Sequence, residues 1–170
     1  DASGPNEYEK LRATMIAQDL GYVGFAADIY GSEFEMGVPD DMRRPLIQMY
    51  RNDNPGLYMQ RIQAAVTAVS GIPQVDSSRI AIIGYCFGGS GVLMFALDDR
   101  SVNDDVTAVV SFHGGLGDHI WDHRMNTQDL AVSRAADDTR PRVLVLSGGE
   151  DDEATEIMTL EDTMNNATLD

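Results

Sequence analysis

Apolar and polar positions along this 170-residue chain follow two alternating rhythms. Tyr8, Leu11, Met15 and Leu20 lie on one side of a helix, and Gly21 follows where a helix closes in the left-handed conformation. Tyr22-Val23-Gly24-Phe25-Ala26-Ala27 is then short and apolar and ends at Asp28, the pattern of a buried strand. Gly31, Gly37 and Pro39 mark residues 31–41 as loop. Residues 42–51 predict a short helix that Asn52 to Gly56 break. Met59, Ile62, Val66 and Val69 predict the next helix, and Gly71, Pro73 and Ser77-Ser78 connect it to a second buried strand, Ile80 to Ile83. Further on, Gly88 to Leu97 predicts a helix with Val92, Leu93 and Ala96 on its apolar side, and Val106 to Phe112 a strand. Residues 113–126 are irregular, Asp129 to Ala136 helical, Val143 to Leu146 a fourth strand, and residues 155–165 a weakly amphipathic helix.

Strands that are apolar throughout, alternating with helices, predict an α/β fold: a mostly parallel sheet with helices on both faces. No repeat or linker divides the chain, so one domain is expected over residues 1–170. An apolar fraction of 43% is enough for a core. The formal charge of −16 repels nucleic acid and anionic membrane, which excludes both as partners. No apolar stretch approaches the ~20 residues of a membrane helix. The single cysteine, Cys86, cannot form an internal disulfide. That fits a reducing compartment, with the cytoplasm favoured.

Cys86 sits in RIAIIGYCFGGSG, residues 79–91, between an apolar strand and a glycine-rich helix start. Gly84-Tyr85-Cys86-Phe87-Gly88 has the form of the strand–turn–helix elbow that carries a nucleophile, with Cys in place of Ser. The chain doubles back so tightly that Gly84 and Gly88 must be small, and Gly89 lets the helix pack on the sheet. The same bend puts the thiol at the carboxyl end of a strand and at a helix N-terminus, which favours thiolate, and aims the Phe87 N–H at an oxyanion. The plainer reading is a small buried hydrophobe. Phosphate-binding loops are excluded by spacing: neither G-x-G-x-x-G nor G-x-x-x-x-G-K-[ST] occurs.

A thiol nucleophile needs a base, and the base needs an orienting acid. In this fold the acid follows a later strand. Asp151 follows Val143-Leu144-Val145-Leu146-Ser147 and Gly148-Gly149 and is the candidate, with Asp152 and then Glu150 as its rivals. His113, His119 and His123 all precede it, and no histidine follows. His113 ends a strand and reads as structural; His119 and His123 lack the H-E-x-x-H pattern of a metal pair.

Gly84-Tyr85-Cys86-Phe87-Gly88-Gly89, preceded by Gly21-Tyr22-Val23 and Asp28-Ile29-Tyr30-Gly31 and followed by Val110-Ser111-Phe112-His113-Gly114 and Leu146-Ser147-Gly148-Gly149-Glu150-Asp151, resembles the dienelactone hydrolase family of α/β-hydrolases. The resemblance implies a Cys-Asp-His triad with Cys86 as nucleophile and Asp151 as acid. It implies hydrolysis of a small ester or lactone through an acyl-thioester, without metal or organic cofactor. It also implies that Asp1-Ala2-Ser3-Gly4 ends the loop giving the second oxyanion N–H, from Ala2, with Asp1 matching an acid that contacts the resting thiol. Family arginines bind a substrate carboxylate; Arg43, Arg44 and Arg51 lie in the right region, with Arg44 the candidate, and charged helix surface is their plainer reading. The family's histidine beyond Asp151 and the strand before Asp1 are missing, as in a fragment lacking both ends. Two other readings stay open: a non-catalytic hydrolase-like binding domain, which the missing histidine motivates, and a redox-sensing thiol, which lacks a second cysteine to resolve it.

Overall fold

The computed structural model describes residues 1–34, 36–97, 105–117, 141–148 and 154–166. Helix α1, Glu7–Leu20, begins at a capping box: Asn6 accepts from the Tyr8 N–H (2.7 Å), and Glu9 accepts from the Asn6 N–H (3.3 Å). Gly21 closes it at φ 70°, in the left-handed cap expected from the sequence. Helix α2, Asp40–Gln48, runs on into a π-helical turn, Met49–Asp53. Helix α3, Pro55–Ser70, is capped by the Asn54 side chain and buries Tyr58, Met59, Ile62 and Val66. Strand β1 is Ile80–Tyr85, helix α4 Phe87–Leu97, strand β2 Val106–Phe112, strand β3 Arg142–Leu146 and helix α5 Ala154–Asn166.

Among the described residues the three strands form a parallel sheet in the order β1-β2-β3, with Ile83, Val110 and Leu144 side by side. Side chains alternate between its faces. Ile82, Val109, Val143, Ser111 and Val145 share the face on which α4 packs. That helix is buried almost all round, as its apolar sequence requires, and α3 lies against it. On the other face α1 covers the Tyr85 end: Arg12 Nη2 donates to the Tyr85 hydroxyl (2.9 Å), and Tyr85 stacks on Phe112. Away from that end, Ile83 (40% exposed) and Leu144 (51%) stay open among the described residues.

One expected strand is not found. Tyr22 to Ala27 pairs with no strand among the described residues, and Tyr22 is 65% exposed. An apolar run shows that a segment wants burial; a strand also needs a neighbour to hydrogen-bond. This segment lies instead on α1, so close that a Cβ on Gly24 would overlap the Ala13 carbonyl. The Asp129 to Ala136 helix lies outside the described residues. None of the described helices is long and apolar enough to cross a membrane.

Candidate active site

Strand β1 ends at Tyr85 and α4 begins at Phe87, so Cys86 is the whole turn between them. Its φ is 53°, a left-handed value that a side-chain-bearing residue holds only when its surroundings impose it. Two hydrogen bonds do so here. The Cys86 N–H donates to the Phe112 carbonyl at the end of β2 (2.9 Å), and the Cys86 carbonyl accepts from the Ser90 N–H (3.1 Å). The backbone is clamped between sheet and helix while the thiol stays exposed. The buried, inert reading of this cysteine does not fit that exposure.

The glycines around it leave room for backbone. A Cβ on Gly84 would overlap the Gly88 carbonyl, and one on Gly89 would lie 2.8 Å from Gly114 Cα. Helix and sheet therefore meet at closer range than any side chain permits. Ser90, fully buried in the first turn of α4, donates to the Gly114 carbonyl and accepts from Arg51 Nη2 (2.7 Å).

Phe87 is the first residue of α4, where N–H groups have no intrahelical acceptor. Its buried ring stacks on Tyr58 (centroids 4.6 Å, planes 2° apart) and on Tyr30 (6.0 Å, 9°). Tyr50 closes the circle edge-on to both tyrosines. Burial pushes the Tyr58 phenol well above its ordinary pKa, with Tyr30 adding to the rise and Arg51 opposing it. Burial likewise raises Tyr30 and, in the opposite sense, lowers the Arg51 guanidinium. The charge of Cys86 contributes to all three, which places these side chains in the electrostatic reach of the thiol.

Asp1 and Ala2 lie beside the same helix start. The Asp1 nitrogen is 3.3 Å from where a Gly88 Cβ would stand, and the Ala2 carbonyl accepts from the Tyr30 hydroxyl (3.3 Å). The Asp1 carboxylate accepts from the Ser3 N–H (2.6 Å) and so shapes its own loop. Of the arginines, Arg44 is exposed on α2 and Arg43 pairs with Asp40 (2.9 Å). It is Arg51, on the π-helical turn, that reaches the elbow, with its guanidinium 5.9 Å from the Phe87 ring centre. The extra residue per turn in a π-helix redirects side chains in a way that apolar spacing cannot reveal. His113 follows β2 exposed at φ 41°, its N–H donating to the Leu146 carbonyl (2.7 Å). Asp151, its rivals Glu150 and Asp152, and His119 and His123 lie outside the described residues.

Sequence reasoning gave no role to Tyr30, Tyr58 or Ser90, and it named Arg51 beside Arg43 and Arg44 but preferred Arg44. One signal was available for Tyr58: Gly91, a further glycine in an otherwise apolar helix, vacates the space its hydroxyl occupies.

Comparison with known proteins agrees with this geometry. A dienelactone hydrolase-like promiscuous phosphotriesterase from metagenomic libraries superposes with a TM-score of 0.79 at 30% identity, over 100% of this chain and 64% of its own. A protein called m3DLH does so at 0.76 and 29%, over 98% of this chain and 62% of its own. A protein of Methylorubrum extorquens named "Putative carboxymethylenebutenolidase" is 27% identical over 149 residues, 87% of this chain and 48% of that protein. The chain thus spans about half the length of that relative and under two thirds of the two solved structures. The family model for dienelactone hydrolases matches residues 1–170, from the Asp1–Ala2 loop through the Cys86 elbow to α5, and the chain belongs to the dienelactone hydrolase family.

Proposed function

We propose that the full-length protein is a hydrolase of small carboxylic esters or lactones with Cys86 as its nucleophile. The observation that carries this is an exposed thiol at φ 53° on a strand-to-helix turn, with a helix N-terminus beneath it. The sulfur attacks the acyl carbon, and the carbonyl oxygen becomes an oxyanion. The N–H groups of Phe87 and Ala2 stabilise that charge, at the moment when it is largest. Collapse breaks the acyl C–O bond, the alkoxide oxygen takes a proton and departs as the alcohol (in a lactone it stays tethered to the acyl group), and a thioester remains on Cys86. Water then adds to the thioester, the C–S bond breaks, and the thiolate returns. Protons move through a histidine oriented by Asp151, the base and acid that the family resemblance implies. Arg44, exposed on α2, is the sequence candidate for a substrate carboxylate, and Asp1 for contact with the resting thiol. One solved neighbour is described as a promiscuous phosphotriesterase, so a phosphotriester attacked at phosphorus by the same sulfur is a second substrate to assay.

The test compares full-length protein with Cys86→Ala and Cys86→Ser on p-nitrophenyl acetate, a dienelactone and a p-nitrophenyl phosphotriester. Loss of the nucleophile is expected to lower kcat by roughly a thousand-fold or more. Equal rates in wild type and Cys86→Ala would remove Cys86 from the mechanism. Absence of turnover in the wild type on all three would favour a binding domain.

A further inference from the structure

The two oxyanion donors proposed above belong to chain segments far apart in sequence, residues 1–4 and 86–91. Their N–H groups act together only if both segments are held to a common reference. We infer that Tyr30 and Tyr58 are that reference: positioning residues whose rings stack on Phe87 and whose hydroxyls each hold one donor residue by its carbonyl.

The Tyr58 hydroxyl donates to the Phe87 carbonyl (3.0 Å), and the Tyr30 hydroxyl donates to the Ala2 carbonyl (3.3 Å). A carbonyl oxygen has two lone pairs, so Tyr58 binds Phe87 without competing with the helix N–H that shares it. Phe87 is thereby fixed at its ring and its carbonyl, while the Ser90 bond to the Cys86 carbonyl fixes the peptide that carries its N–H. The Asp1–Gly4 loop is seated in the same way. Gly4, at φ 71°, lets it lie flat on Tyr30, where a Cβ would stand 3.1 Å from ring carbon Cδ2. Gly91 does the same for Tyr58, since a Cβ there would overlap the hydroxyl. Tyr58 is 1% exposed and Tyr30 is buried, and burial raises both phenols above their ordinary pKa, which favours the protonated, donating form. Tyr50, edge-on to both rings, sets their spacing and bonds to neither donor residue in this arrangement.

This rests on reading Cys86 as a nucleophile that passes through an oxyanion, and the experiment separates the two claims. In full-length protein, Tyr30→Phe and Tyr58→Phe each keep the ring and delete one hydroxyl. Each is expected to lower kcat on p-nitrophenyl acetate by about ten-fold with little change in KM, as for a weakened oxyanion donor. Affinity for an alkyl trifluoromethyl ketone, whose adduct with the thiolate carries an oxyanion, is expected to fall by a similar factor. Alkylation of Cys86 by iodoacetamide, which forms no oxyanion, is expected to keep its wild-type rate. Wild-type kcat and ketone affinity in both variants would overturn the brace and leave the hydrolase standing. So would an equal loss of alkylation, which would mean a loosened elbow. Should Tyr58→Phe fail to fold, Tyr30→Phe decides alone. A wild type without Cys86-dependent turnover would overturn both claims together.

Discussion

A Cβ on Gly84 would overlap the Gly88 carbonyl, whereas one on Gly88 would meet only the Asp1 backbone, at 3.3 Å. The two glycines flank Cys86 evenly in the sequence but are needed for different reasons. Gly84 faces the backbone of the returning helix, which cannot retreat without moving the Cys86–Ser90 bond. Gly88 faces a loop that can give by a few tenths of an ångström, and alanine there gains helix propensity. Gly84→Ala is therefore expected to cost about 3 kcal/mol, the upper end of ordinary overpacking. Gly88→Ala is expected to stay within about 1 kcal/mol of wild type, because gain and contact oppose each other. Urea denaturation of the two variants checks this, and equal costs would show that the turn is limited by something other than this overlap. The expectation that both must be small holds in full for Gly84 only.

At the scale of elements, what the sequence announced is what local chemistry decides. Gly21 ends α1, and the apolar runs at Ile80, Val106 and Val143 became strands. The elbow was legible for the same reason: its glycines sit at fixed offsets from Cys86. Two elements were not legible because they depend on partners. Tyr22 to Ala27 has a strand's composition and no ladder among the described residues. The π-helical turn inserts a residue without a compositional mark, so it is Arg51 rather than Arg44 that bonds to Ser90. The turn that delivers the chain into β1 shows local chemistry acting on charge. Asp76 Oδ1 accepts from the Ser78 hydroxyl (2.7 Å) and N–H (3.1 Å), and these bonds hold the carboxyl below its ordinary pKa. A carboxyl depressed in the folded state stabilises the fold above its unfolded pKa, and that contribution disappears as pH falls through the folded value. Ser78→Ala is expected to move the Asp76 titration, followed by NMR, upward toward the ordinary range and to weaken the acid dependence of stability. An unshifted titration would place the cause in the residue 78 N–H bond, which alanine keeps, or in the charge of Arg79.

Over the whole molecule, 28 acidic residues face 12 basic ones, an excess of sixteen negative charges. Side-chain ion pairs among the described residues include Glu7–Lys10 and Asp40–Arg43, each one helical turn long and exposed on at least one side. Pairs of that kind contribute about 0–1 kcal/mol, too little to offset a general excess of one sign. Folding draws the excess negative charge together, so the compact state bears more repulsion than the unfolded chain. Salt acts on both effects in opposite directions: it weakens the few pairs and relieves the many repulsions. The screening length drops from about 30 Å at 0.01 M to about 3 Å at 1 M, and long-range repulsion across the surface is screened before contacts at 3 Å are. Repulsion should win, and Tm is expected to rise as sodium chloride increases from 10 to 500 mM, by about 2–4 °C for each kcal/mol relieved. The same titration in sucrose separates screening from preferential exclusion, since sucrose carries no charge. A Tm that falls with sodium chloride would mean that attractive pairs dominate this surface despite its net charge. The charge also bears on substrate choice. Under the proposed ester hydrolysis, a surface this acidic disfavours approach of an anionic ester over a neutral one, and that gap is expected to narrow in the same salt range, measured as kcat/KM for a matched neutral and carboxylate-bearing pair. A gap insensitive to salt would place discrimination in close contacts such as those of Arg51 rather than in the field of the whole molecule.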